Sequence, residues 1–273
     1  MNKGRRQAPP LCISAPALRG LAVRATKAGM NDALSLRQPR LIALDLARTA
    51  ALVGMAVYHL TYDLTTFGWL PEGTSVTGFW ALFARAVAGS FIFLAGVSLW
   101  LAHGQGIRWP AFWRRFAKIA AGAAVVTVGT YLAFPQYFVF YGILHSIAVS
   151  SLIGLAFLRV PAGITLAVAG LVYWLPRVWR STLFDGPLAF VGLFGTPPQT
   201  VDFLPILPWL APMLVGIAVG RLMTRFDLWH WLALPETGLL RRLAWPGRHS
   251  LAVYLIHQPV LIGLVWAATW LLG

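Results

Sequence analysis

The segment LDLARTAALVGMAVYHLTYD sets four ionisable side chains, Asp45, Arg48, His59 and Asp63, in otherwise apolar sequence. At about 100° per residue on a helix, taking Asp45 as zero, Arg48 falls near −60°, His59 near −40° and Asp63 near 0°. All four share one stripe. Asp45 and Arg48 are spaced i, i+3 and His59 and Asp63 i, i+4, so each pair is expected to bond along the helix. A carboxylate holding one imidazole nitrogen would fix the tautomer and leave the other nitrogen as a general base. His59 and Asp63 are therefore the expected catalytic pair. Arg85 in FARAVAGS and His145 in FYGILHSIAVS are expected at similar outer depth, and His257 in SLAVYLIHQP deeper, below the midplane. With Asp45 and Arg48, these three form the expected substrate-binding set. A metal site built on the histidines would need imidazoles at H-x-x-x-H or H-E-x-x-H spacing; neither occurs, and none is expected. Nor is there a G-x-x-x-x-G-K-[ST] phosphate loop.

The elements that position these groups must lie in a membrane. Of 273 residues, 58% are apolar and 11% charged, with a mean hydropathy of +0.70, against roughly 25% charged in soluble domains. This excludes an ordinary soluble enzyme and a disordered chain. Spans of about 20 apolar residues are expected near 41–61, 79–101, 116–134, 140–158, 160–176, 206–223 and 249–271, giving an all-α polytopic bundle of about seven transmembrane helices. The net charge of +14 is assigned to topology rather than to nucleic acid. Arg37, Arg40, Arg108, Arg114, Arg115, Lys118, Arg159, Arg221, Arg225, Arg241, Arg242 and Arg248 collect on one side. Asp63, Glu72, Asp185 and Asp202 oppose only Arg177 and Arg180 on the other. The positive-inside rule then predicts N-in, C-out orientation in a cytoplasmic (inner) membrane. Gly89, Gly96, Gly104 and Gly106 in the second span and the loop after it, and Gly122 and Gly129 in the third, are expected at close-packing positions.

Residues 1–39 read as a basic arm, and 1–29 carry six cations and no acid. Pro16, Arg19 and Arg24 break every candidate signal-peptide core, so no cleaved signal is expected. MNDALSLRQPRLIALD from Met30 is a natural alternative start; without the six cations, 16 basic residues face 8 acidic ones. Residues 40–273 form the expected transmembrane domain. The aromatic, proline-rich stretch 177–205 suits a lid or an interfacial segment, and 224–248, with Trp229, Trp231, Trp245, Arg241 and Arg242, suits an interfacial anchor.

RLIALDLAR from Arg40, His59 with Asp63, FIFLAGVSL from Phe91, FYGILHSIA from Phe140 and GRHSLAVYLIHQP from Gly247 together resemble bacterial integral-membrane acyltransferases. Within these they are most similar to the branch containing the heparan-α-glucosaminide N-acetyltransferase catalytic domain. Thr49 stands where that family commonly has Gly. The resemblance implies acyl transfer, with acetyl-CoA or another acyl-CoA as co-substrate and a sugar hydroxyl or amine of a glycan or glycolipid as acceptor on the outer side. It matches His59 to the polar catalytic position and Asp45 and Arg48 to a buried pair, leaving open which histidine is the base. Arg108, Arg114, Arg115 and Lys118 would then draw the coenzyme phosphates, and Arg85 or His145 would meet the oxyanion. An oligomer is compatible with the sequence. A proton-coupled transporter using the same residues is the rival reading, weakened by the lack of a visible internal repeat. A retinal protein is excluded, because the only lysines are Lys3, Lys27 and Lys118.

Overall fold

The structure, a computed structural model, describes residues 41–272; the arm expected over 1–39 and the Met30 start lie outside them. Seven helices occupy the seven expected spans: α1 (Ile42–Thr66), α2 (Gly78–His103), α3 (Trp109–Ala133), α4 (Ile143–Phe157), α5 (Ala162–Val178), α6 (Ile206–Arg225) and α9 (Ser250–Leu272). Two short helices, α7 (Gly238–Leu243) and α8 (Trp245–Arg248), precede the last. The protein is an all-α, multi-pass membrane helix bundle. Five of the helices are long and apolar enough to cross a bilayer, while α4 and α5 have 15 and 17 residues. At 1.5 Å per residue these two reach about 22 and 26 Å, short of a hydrocarbon core about 30 Å thick.

Contacts at the two ends show that the seven helices nonetheless alternate. At one end Arg48 of α1 donates to Ser98 of α2 (2.6 Å), the indole of Trp100 donates to Thr224 of α6 (2.8 Å), and Arg221 donates to the Val160 carbonyl in the α4–α5 turn (2.8 Å). At the other, the Ile143 N–H of α4 donates to Asp202 (3.1 Å) and Trp69, after α1, donates to Thr269 of α9 (2.8 Å). Helices α1 and α9 are parallel, as the first and last of seven alternating passes must be. The first end carries most of the arginines and Lys118, and is called the basic end below.

Of the five long helices, α6 is the most enclosed and α9 the most exposed on its outer surface. Because lipid tails are as apolar as leucine, close backbone approach rather than hydrophobic burial holds such helices together. α2 and α6 achieve it through opposed glycines. A Cβ on Gly96 would lie 2.2 Å from the Met213 carbonyl oxygen, and one on Gly216 2.2 Å from that of Phe93. Leu99, Met213, Leu214 and Ile217 fill the seam around them. Gly122 packs similarly against Leu144 and Leu251, but nothing lies within 4 Å of a Cβ on Gly129, so that expected contact is absent. Helix α3 begins at Trp109, about two turns earlier than expected, because Pro110 suits a first helical turn. Arg114, Arg115 and Lys118 therefore sit on a helix rather than in a loop.

Gly96→Val is expected to lower the thermal unfolding midpoint by the equivalent of at least about 1–3 kcal/mol of overpacking. Gly163→Ala, where a Cβ meets nothing within 4 Å, should leave it unchanged. Thermal scans of the two variants in one detergent check the pair.

Candidate functional site

Asp45 lies in the first turn of α1 and is 1% exposed. Its carboxylate accepts from Arg48 Nη1 at 2.6 Å and from Arg248 Nε at 3.3 Å. The second arginine comes from α8, a segment the sequence suggested only as a topology signal and membrane anchor. Thr49 shows how α8 reaches it. Its hydroxyl donates to the Leu243 carbonyl (2.9 Å) and accepts from the Gly247 N–H (3.0 Å). A Cβ on Gly247 would come within 1.9 Å of the Asp45 carbonyl oxygen. The WPGR turn thus rests directly on α1, and Thr49 is the residue that receives it.

Among the described residues one carboxylate meets two guanidiniums, and Arg115 of α3 sits within electrostatic reach of Arg48. Arg48, Arg115 and Lys118 line one end of a cavity of about 240 Å³. Its walls are apolar, formed by Phe91, Leu94, Leu144, Ile147 and Leu251, and it extends to Ile143 and Tyr254. A cavity slightly below the roughly 300–1,000 Å³ of ordinary small-molecule pockets suits an extended chain, with a cationic mouth for an anionic head.

Beyond Tyr254 come the two histidines. Its carbonyl oxygen is bonded to His257 Nδ1, and His257 Nε2 lies 3.1 Å from His59 Nδ1, which is also 3.1 Å from the Met55 carbonyl. This corrects two expectations. His257 lies beside His59 rather than beneath it, because α9 runs parallel to α1 and brings its second turn level with the imidazole. And His59 does not bond Asp63. That carboxylate, 1% exposed, accepts instead from Gln258 Nε2 at 2.8 Å. Both residues turn to α9, which competes successfully with the i, i+4 partner. Asp63 Oδ2 and Gln258 Oε1 are buried with no hydrogen-bond partner, two acceptors directed at neither helix.

The remaining expected residues do not converge on this pair. Arg85 is exposed on α2. His145 accepts from the Gly142 N–H (3.3 Å) and approaches Thr127 of α3 (3.4 Å), so it caps and tethers the start of α4. Arg108 and Arg114 are exposed and donate to the backbone carbonyls of Ala102 and Pro110; only Arg115 and Lys118 of that basic group face the cavity. Among the described residues no group of three or more His, Cys, Asp or Glu could hold a metal ion. Ser98, Arg248 and Gln258 were missed. All three lie inside the quoted motifs FIFLAGVSL and GRHSLAVYLIHQP, but helical periodicity alone cannot tell which polar residue crosses to another helix.

A family model described as heparan-alpha-glucosaminide N-acetyltransferase, catalytic, matches residues 40–259. The chain belongs to that family. This N-acetyltransferase-like chain is accordingly an acetyltransferase-like membrane enzyme. No curated protein and no solved structure matches it.

The segment 179–205 closes the end opposite the basic one. Asp185 accepts from the N–H groups of Gly195 and Thr196 (2.8 and 3.1 Å), which hold its carboxyl below the usual range. Asp202, at the far end of the segment, accepts from the Ile143 N–H (3.1 Å), and a Cβ on Gly142 would strike it. Burial pushes the Asp202 carboxyl up to about 6, against the opposing pull of that N–H. A group raised on folding contributes stability that is complete below its ordinary value near 3.8 and lost as pH rises through about 6. Thermal stability should therefore fall from pH 4 to 6 more steeply in the wild type than in Asp202→Asn; equal slopes would contradict this environment.

Proposed function

We propose that this protein moves an acyl group, acetyl in the simplest case, from an acyl-coenzyme A at the basic end to a sugar hydroxyl or amine at the opposite face. The single observation that carries the reading is the cavity that runs from Arg48, Arg115 and Lys118 to Tyr254, whose carbonyl holds the histidine pair. The cations meet the coenzyme phosphates, which bond well to guanidinium and ammonium groups. The apolar walls take the pantetheine arm and lead the thioester towards His59. His59 removes the proton of the acceptor as it attacks the thioester carbonyl. Asp63, whose second oxygen is unpartnered, and Gln258 offer acceptors that orient hydroxyl or amine hydrogens. By the positive-inside rule the basic end faces the cytoplasm, where acyl-coenzyme A is made, and the membrane is the inner one. Metal plays no part in the proposed step.

His59→Ala is expected to lower transfer from labelled acetyl-CoA to a glycan or amino-sugar acceptor by about 10²–10⁴-fold, the usual contribution of a general base, without changing the thermal midpoint. Arg115→Ala should chiefly raise the KM for acetyl-CoA, whereas Arg114→Ala, exposed and outside the cavity, should not. Retained turnover in His59→Ala would remove the central role given to that residue. Substrate flux in liposomes without acyl donor would instead favour transport.

A further inference from the structure

We propose that His257 is the second member of a two-imidazole proton relay, receiving from His59 Nδ1 a proton as His59 Nε2 takes one from the acceptor. The inference rests on His59 being the base. Carbonyl oxygens only accept, so His257 Nδ1, bonded to the Tyr254 carbonyl, carries a hydrogen and leaves Nε2 as an acceptor. His59 Nδ1 has two neighbours at 3.1 Å, the Met55 carbonyl and His257 Nε2, and both are acceptors. The His59 hydrogen therefore sits on Nδ1 and is shared between them. That leaves His59 Nε2 with its lone pair and no partner among the described residues.

The carboxylate that would ordinarily steady an imidazolium is engaged elsewhere, since Asp63 accepts from Gln258. Asp45 is held by Arg48 and Arg248. The other polar groups nearby are Tyr58 and Tyr62 on α1, Tyr254 on α9 and Asp202 from the segment before α6, whose charge reaches the Tyr58 and Tyr254 hydroxyls. No side chain among these bonds to either ring. Of the two acceptors in contact with His59 Nδ1, the carbonyl and the neighbouring imidazole, only the imidazole is basic enough to take up the proton; the ring centroids lie 4.9 Å apart.

The step balances as follows. The acceptor's O–H or N–H bond breaks, its proton goes to His59 Nε2, and its electron pair attacks the thioester carbonyl carbon. In concert the His59 Nδ1 proton passes to His257 Nε2, so the positive charge rests on His257, both of whose N–H groups then donate. On collapse the C–S electron pair leaves with sulfur. The proton returns from His257 to His59 Nδ1, and His59 Nε2 protonates the thiolate. An acyl ester or amide and a free thiol are formed, and both rings regain their starting tautomers. His257 touches no reacting atom, so it is a positioning residue whose contribution is to hold a proton.

Two measurements test this on the full chain in lipid nanodiscs. In ¹⁵N-histidine NMR, both rings should be neutral Nδ1–H tautomers, with the His59 Nδ1 hydrogen correlated to His257 Nε2. An Nε2–H tautomer at His257, or no correlation between the rings, overturns the relay, and this readout needs no turnover. His257→Gln keeps an acceptor near the Nε2 position but cannot take up a proton. With acetyl-CoA and glucosamine as the probes, its kcat should fall on the order of 10²-fold, at the low end of general acid–base contributions, with KM unchanged. Its solvent isotope effect should change from a curved to a linear dependence on deuterium content. Wild-type kcat in His257→Gln alongside lost activity in His59→Ala would leave acyl transfer standing and overturn the relay.

Discussion

A buried carboxylate between two guanidiniums governs the arrangement of this bundle. Asp45 ties the first turn of α1 to α8 through Arg248, and its other partner, Arg48, reaches Ser98 on α2. Taking these charges out of water is costly, and breaking such a pair by removing one partner costs about 3–5 kcal/mol. The cluster is therefore weak evidence of stability and stronger evidence of specificity. It sets the height at which α9 begins beside α1, and with it the level at which His257 meets His59 and Gln258 meets Asp63. Beside Arg48, Arg115 and Lys118 of α3 bring further positive charge to the cavity.

The two ends of the molecule thus have different chemistry for one structural reason. Parallel packing of the first and last helices, which any odd number of alternating passes gives, puts a cationic mouth at one end of the α1–α9 seam and the imidazole pair further along it. Between them the cavity is apolar and narrow. In the proposed reaction this separation lets a large anionic coenzyme remain at one face while its thioester reaches an acceptor at the other.

Much of this was legible in the sequence. Hydropathy located all seven helices, and the stripe of Asp45, Arg48, His59 and Asp63 correctly marked the face of α1 turned inward. The Asp45–Arg48 pair formed as its i, i+3 spacing suggested. The His59–Asp63 pair did not, because local spacing describes one helix, whereas these side chains are claimed by α9. His257 was misplaced for the same reason: depth counted along an isolated helix takes no account of where α8 seats its beginning. Charge runs were the least informative signal. Arg108, Arg114, Arg115 and Lys118 read alike in sequence, yet only Arg115 and Lys118 line the cavity, while Arg108 precedes α3 and Arg114 lies outside the cavity. Arg248 looked like one more topology charge until Gly247, which tolerates no side chain against α1, was seen to bring it to Asp45.

The account stands most directly on where an acyl-coenzyme A lies in the molecule. A structure of the full chain in nanodiscs with acetyl-CoA should show the phosphates against Arg115 and Lys118, the pantetheine arm between Phe91, Leu144 and Leu251, and the thioester beyond Tyr254 facing His59. Coenzyme bound outside this cavity, or a cavity unchanged at saturating acetyl-CoA, would contradict it.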